Sequence, residues 1–163
     1  MIEEPDWKTW TPKIRATLLF VVREGDEVLL IRKKRGIGAG KINGPGGKID
    51  PGETPAECSL RETREETGII ATDPEKMGEL FFQFTDGLSI HCEVFLSEGY
   101  TGEMVETEEA IPFWCKFDKI PYDEMWQDDA HWLPQVLTER KKFIGNFVFD
   151  DDLMLTKHID WEA

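Results

Sequence analysis

Gly47-Lys-Ile-Asp-Pro-Gly-Glu53 and, after seven further residues, Arg61-Glu-Thr-Arg-Glu-Glu-Thr-Gly68-Ile69 decide how this chain is read. Between them the residues predict a helix over Thr54–Thr67. Thr54 suits an N-cap, Pro55 falls at the first helical position, and Glu57 completes a capping box. Gly68 suits the left-handed residue that ends a helix. At about 100° per residue, Glu62, Glu65 and Glu66 share one face, while Ala56, Leu60, Thr63 and Thr67 gather roughly opposite, toward a core. Three carboxylates on one face repel one another. A hard dication reverses that sign, because carboxylate oxygens are its preferred ligands. Three glutamates alone would more often be a solvated acidic face paired with Arg61 and Arg64, and spacing by itself leaves both readings open.

Outward from this stretch the pattern alternates short strands with few helices. Ala16–Val22 and Val28–Ile31 are β-branched and apolar around the turn Glu24-Gly25-Asp26, and read as a hairpin. Gly36 to Gly47 reads as a flexible glycine-rich loop. Strands are expected near 78–84, 88–97 and 112–117, and a last hairpin over 146–149 and 153–158. Asp128-Asp129 can cap a second helix running to about Lys142, with Pro134 in its early turns. The expected class is α+β, a mixed β-sheet sandwiched between α-helices. With 163 residues and no linker or repeat, one domain over 1–163 is expected, with residues 1–12 as an irregular arm.

Composition narrows the function. The chain is 40% hydrophobic and 32% charged, which suits a globular protein. Its formal net charge of -14 argues against long nucleic acids, whose binding relies on basic contacts to phosphate. A small phosphorylated ligand stays compatible, since a divalent cation bridges acidic protein and acidic substrate. No basic and apolar leader opens the sequence, and no apolar run approaches the roughly 20 residues of a membrane span. Cys58, Cys92 and Cys115 show no paired spacing, so a reducing, cytoplasmic setting without disulfides is expected. Gly36 to Lys41 is too short for a phosphate-binding P-loop and has Ile42 where Ser or Thr is required. His91, His131 and His158 have no ligand spacing. Glu108 and Glu109, in a later acidic loop, read as solvated surface, with an added metal contact as the alternative.

The quoted stretch resembles the Nudix box: Gly, five residues, Glu, seven residues, Arg-Glu, an aliphatic residue, any residue, Glu-Glu, any residue, Gly, an aliphatic residue. Every fixed position is met; Thr63 stands where an aliphatic residue is usual. The resemblance implies a Nudix fold and hydrolysis of a nucleoside diphosphate linked to another group. It implies Mg²⁺ (or Mn²⁺) held by Gly47, Glu62, Glu65 and Glu66, with Arg61 orienting the acids. It extends further. Lys33 to Lys48, Met125-Trp-Gln-Asp-Asp-Ala-His-Trp132 and Lys141 to Phe149 are similar to the MutT-like branch that acts on oxidised purine nucleoside triphosphates. By position, Asn43, Asp128 and Asp129 would bond the purine edge and Trp126 would stack on it. Phe82 would line the pocket, Thr17 would lie at its floor, and Lys33 on the sugar-phosphate side. The chemistry is reasonable in itself, because aromatic planes stack on any base and adjacent carboxyls can differ in protonation. Ile37, Ile42, Pro45, Ile90 and Ala110 depart from that branch, and changes at Ile37, Ile90 and Ala110 would reshape the pocket wall.

The expected activity is therefore hydrolysis of 8-oxo-dGTP, 2-hydroxy-dATP and related triphosphates to the monophosphate and pyrophosphate. This would be nucleotide-pool sanitation by a monomer with no membrane partner. The alternatives are a Nudix enzyme for ADP-ribose, dinucleoside polyphosphates or capped RNA ends, and a Nudix module that binds a nucleotide without cleaving it.

Overall fold

The computed structural model describes residues 4–162; the first three residues of the expected arm, and Ala163, lie outside them. The strands are β1 (Ile14–Arg23), β2 (Glu27–Lys33), β3 (Ile42–Asn43), β4 (Gly46–Lys48), β5 (Ile70–Thr72), β6 (Glu75–Phe84), β7 (Ser89–Ser97), β8 (Gly99–Thr101), β9 (Ala110–Lys116), β10 (Phe143–Asp150) and β11 (Leu153–Trp161). The helices are α1 (Pro55–Thr67) and α2 (Asp129–Glu139).

The apolar run at 16–22 is the middle of β1, and its alternation builds two cores. Leu19 and Val21 face one way, with Leu29, Ile69 and Phe95, and meet Ala56 and Leu60 of α1. Phe20 and Val22 face the other way, with Val28, Leu30, Leu80 and Val94, and meet Trp132, Leu133, Val136 and Leu137 of α2. A strand buried on both faces carries a continuous hydrophobic run for this reason. The main sheet runs β11-β10-β6-β7-β1-β2-β3, with β4 also on β1 and β9 on β2. It is mixed: β1 lies parallel to β7 and β6 parallel to β10, while the other pairs are antiparallel. This is the expected sheet between helices.

The glycine-rich segment is more ordered than its composition suggests. Gly46 and Gly47 form β4 and pair with Leu18 and Thr17 of β1. A Cβ at Gly46 would lie 1.9 Å from the Thr17 carbonyl oxygen, so only glycine lets the two backbones approach this closely. The second helix also departs from expectation, ending at Glu139 rather than Lys142. Arg140 takes a left-handed conformation (φ 52°), and its side chain bonds the Leu137 carbonyl and Glu98. Asp128 does not cap it. Its carboxylate instead accepts from Trp132 Nε1 at 2.8 Å, because a buried indole N–H needs an acceptor. Residues 4–12 carry no strand or helix, and Trp10 rests on the sheet. Trp10 Nε1 donates to Gln83 at 2.8 Å, and its ring meets Phe81 edge-on.

Candidate active site

Helix α1 forms with the predicted caps. Thr54 and Glu57 bond each other's backbone N–H reciprocally, at 3.1 and 2.9 Å, and Gly68 closes the helix at φ 81°. Its buried face is rich in hydroxyls. Ser59, Thr63 and Thr67 each return a hydrogen bond to a carbonyl one turn back, at 2.6–2.7 Å. Thr63 therefore occupies its usually aliphatic position with its donor satisfied.

The opposite face carries the acids, and Arg61 organises them. Its guanidinium bonds both oxygens of Glu53, at 2.7 and 3.0 Å, a fork that fixes geometry as well as charge. It also donates to Glu62 at 2.9 Å, Glu65 at 3.2 Å and the Lys48 carbonyl at 3.2 Å. The Arg61 hydrogen bonds hold the Glu53 carboxyl down at about 2. Glu66 behaves in the opposite way. Burial, then the neighbouring Glu62 carboxylate, push it up to about 9, against the opposing pull of Lys33 and the Gly46 backbone. The three box glutamates thus divide: Glu62, which also accepts from Arg61, lines the cavity with Glu66, while Glu65 is held by Arg61 outside that lining. Gly47 belongs to the same construction. A Cβ there would lie 2.6–2.8 Å from the carboxylate atoms of Glu62, so the glycine makes the seat that this carboxylate occupies.

Glu62, Glu66 and Gly47 open into one cavity of about 540 Å³. Thr17, Lys33, Asn43, Phe82, Trp126, Asp128 and Asp129 also line it, so ten of the twelve residues singled out in the sequence meet here. The other two, Arg61 and Glu65, do not line it. The far end is a buried carboxyl pair. Asp128 and Asp129 are 1% and 3% exposed, and Asp128 Oδ1 and Asp129 Oδ2 have no protein partner. Burial raises Asp128 to about 6, and Asp129 rises well above the ordinary carboxylate range because it also faces Asp128. Asn43 Oδ1 accepts from the Gly44 N–H at 2.8 Å, so its carbonyl serves the turn. Thr17 lies in the floor, with its hydroxyl donating to Cys58 Sγ at 3.3 Å. Lys33 Nζ donates to the Ile37 carbonyl, and burial lowers its pKa.

Several lining residues escaped the sequence reading. Phe84 and Phe149 extend the aromatic wall; the period-two repeats Phe82/Phe84 and Phe147/Phe149 were the signal for it. Glu109, one of the two later acids considered as an added metal contact, lines the cavity and pairs with Arg35, while Glu108 does not line it. Ile37 and Ile90 lie in the wall as expected, whereas Ala110 is fully buried outside it. Among the described residues, the one trio of acidic, His or Cys side chains with ligand atoms within 4.8 Å of one another is Glu24, Asp26 and Glu27. It occupies an exposed turn where Arg23 and Lys116 already partner two of the three. Cys58, Cys92 and Cys115 are free and buried, and no helix is long and apolar enough to cross a membrane among the described residues.

Residues 12–136 match the model of the NUDIX domain. The chain is 41% identical over 145 residues to the oxidized purine nucleoside triphosphate hydrolase of Danio rerio, covering 87% of this chain and 90% of that one. It is 39% identical over 140 residues to the protein of the same name from Mus musculus, covering 84% and 88%. Among solved structures, a MutT protein from Bacillus halodurans superposes with a TM-score of 0.80 at 31% identity, covering 90% of this chain and 97% of that one. A capped helix with its acids gathered by one arginine, a cavity opening from them, and these matches lead to one statement: the chain belongs to the Nudix hydrolase family.

Proposed function

We propose that this chain hydrolyses oxidised purine nucleoside triphosphates, such as 8-oxo-dGTP and 2-hydroxy-dATP, to the monophosphate and pyrophosphate. The observation that carries the reading is the single cavity that joins the Glu62–Glu66 pair to the Asp128–Asp129 pair. One end suits phosphate chemistry and the other suits a base edge. The names of the zebrafish and mouse relatives agree with it.

The acidic end fits a divalent cation. Two carboxylates and the backbone of Gly47 offer hard oxygen donors on one side of the cavity, and the burial and Glu62 charge that raise Glu66 are what a dication would offset. Glu62, Glu66 and the Gly47 carbonyl would hold Mg²⁺ or Mn²⁺, with Glu65 joining them by leaving Arg61. A bound cation supplies charge neutralisation at phosphate and a more acidic water. Arg61 acts as a positioning residue, fixing Glu62 through Glu53 and the Lys48 carbonyl. Lys33, between the two ends, faces the sugar and phosphates.

At the base end Trp126 offers a stacking plane, with Phe84 and Phe149 edge-on against it and Phe82 beside Phe149 in the same apolar wall. Burial raises both carboxyls of the Asp128–Asp129 pair and so favours a proton shared between them. One carboxyl therefore donates while the other accepts, and the pair reads an edge that presents both an acceptor and a donor. The nucleotide is a small ligand; the net charge of -14 works against long nucleic acids. Three free buried thiols suit a reducing, cytoplasmic setting.

Steady-state kinetics with 8-oxo-dGTP, 2-hydroxy-dATP and dGTP under Mg²⁺ test the reading. The oxidised nucleotides are expected to show kcat/KM at least about tenfold above dGTP, the discrimination expected of one well-made or missing hydrogen bond to an ionised group. Pyrophosphate should be released rather than orthophosphate. Equal kcat/KM for all three would refute the substrate assignment.

A further inference from the structure

Lys41 lies within the glycine-rich segment, after Gly36, Gly38 and Gly40, and takes no part in the reaction just described. Its ammonium lies 5.1 Å from the centroid of the Trp126 ring, within the range of a cation–π contact. Asp152, in the turn between β10 and β11, anchors the same ammonium at 3.6 Å. The backbone that leads to Lys41 is packed on the same indole: a Cβ at Gly38 would lie 2.9 Å from Trp126 Nε1. Phe84 and Phe149 meet the ring edge-on, at interplanar angles of 76° and 89°. Trp126, Phe84 and Phe149 line the cavity, and Lys41 does not. The cation therefore covers the indole from outside and leaves the cavity side of the ring to a ligand.

We propose that Lys41 is a specificity-determining residue of the base pocket, drawing indole π density outward and so favouring electron-rich, oxidised purines on the inner face. The inference rests on the substrate reading above. A purine bearing an added oxo or hydroxyl group is a better π donor than its parent. Stacked on a ring depleted of density, it gains more than the parent does. Asp152 contributes by holding a long, flexible side chain in one place, which otherwise costs rotamer entropy. Arginine preserves the effect, because a guanidinium also lies well over an aromatic face.

The test measures Kd for 8-oxo-dGMP and dGMP by titration calorimetry in the full chain and in K41M, K41R and D152N. These are product complexes, so no turnover is required. K41M is expected to lower the preference for 8-oxo-dGMP over dGMP roughly two- to fivefold, the worth of one cation–π contact. K41R should restore it, and D152N should fall between. The near-ultraviolet absorption of Trp126, taken as the difference from W126F with and without K41M, should shift. A purely structural role would weaken both nucleotides alike and leave their ratio unmoved, and that result would overturn the proposal. A wild-type chain that binds both nucleotides equally would overturn the substrate reading and, with it, the selectivity assigned to Lys41. A wild-type preference that survives K41M would overturn the role of Lys41 alone.

Discussion

Glu66→Gln is expected to lower kcat by about 10²–10⁴-fold, the range for loss of a group that handles charge or protons at the reacting centre. Glutamine keeps the size of the side chain and an acceptor for its surroundings, so the fold should survive with an unchanged or higher Tm. Glu62→Gln should follow closely, because Glu62 lines the same cavity and faces Glu66. Glu65→Gln should cost less. Its side chain is 57% exposed and pairs with Arg61, outside the cavity lining. The ranking is measured by initial rates of pyrophosphate release at saturating nucleotide, beside thermal melts of each variant. Wild-type turnover in E66Q, or a larger loss in E65Q than in E66Q, would contradict the assignment of Glu62 and Glu66 as the acidic heart of the site.

Asp129→Asn should move activity and stability in opposite directions. Removing one carboxyl from the base-reading pair is expected to lower kcat/KM for 8-oxo-dGTP roughly 10–10²-fold, the worth of a hydrogen bond to a charged group. Stability should rise at neutral and alkaline pH. Asp128 and Asp129 are raised above the ordinary carboxylate range by burial, Asp128 to about 6 from 3.8. Above about pH 4 the unfolded chain has released protons that the folded chain still holds. Folded protein then binds more protons than unfolded, so stability is greatest below that pH and falls as pH rises through the folded values. For Asp128 alone the difference is on the order of 3 kcal/mol. At about 2–4 °C per kcal/mol for a chain of this size, that is several degrees of Tm. A melt series from pH 4 to pH 9 should show this decline in the wild type and a shallower one in D129N. Parallel curves would contradict the protonated pair. The Trp132 bond to Asp128 is kept in D129N, so the comparison does not confound base reading with a lost core hydrogen bond.

Helical periodicity made the site's frame legible before any coordinates. The capping box, the terminal Gly68 and the shared face of Glu62 and Glu66 follow from spacing within one helix. The double-sided burial of β1 likewise follows from its unbroken apolar run. What stayed hidden depends on contacts between distant segments. The turning of Glu65 to Arg61 is decided by competition for one guanidinium, which spacing cannot rank. Asp128 looked like a helix cap because the demand of Trp132 Nε1, one turn on, outweighs the free N–H groups of α2 only once the indole is buried. The glycines at 46 and 47 looked flexible, whereas they serve close approach to Thr17 and Glu62. Lys41 read as part of a loop, and only the register between that loop and the Trp126 segment brings its charge over the indole.

The most direct test of the central claim is an anomalous-scattering map from a crystal grown with Mn²⁺ and 8-oxo-dGMP. An ion bound by Glu62, Glu66 and the Gly47 carbonyl is predicted, with the base stacked on Trp126 and its edge at Asp128 and Asp129. Manganese confined to the Glu24–Asp26–Glu27 turn, or none beside Glu62 and Glu66, would contradict it.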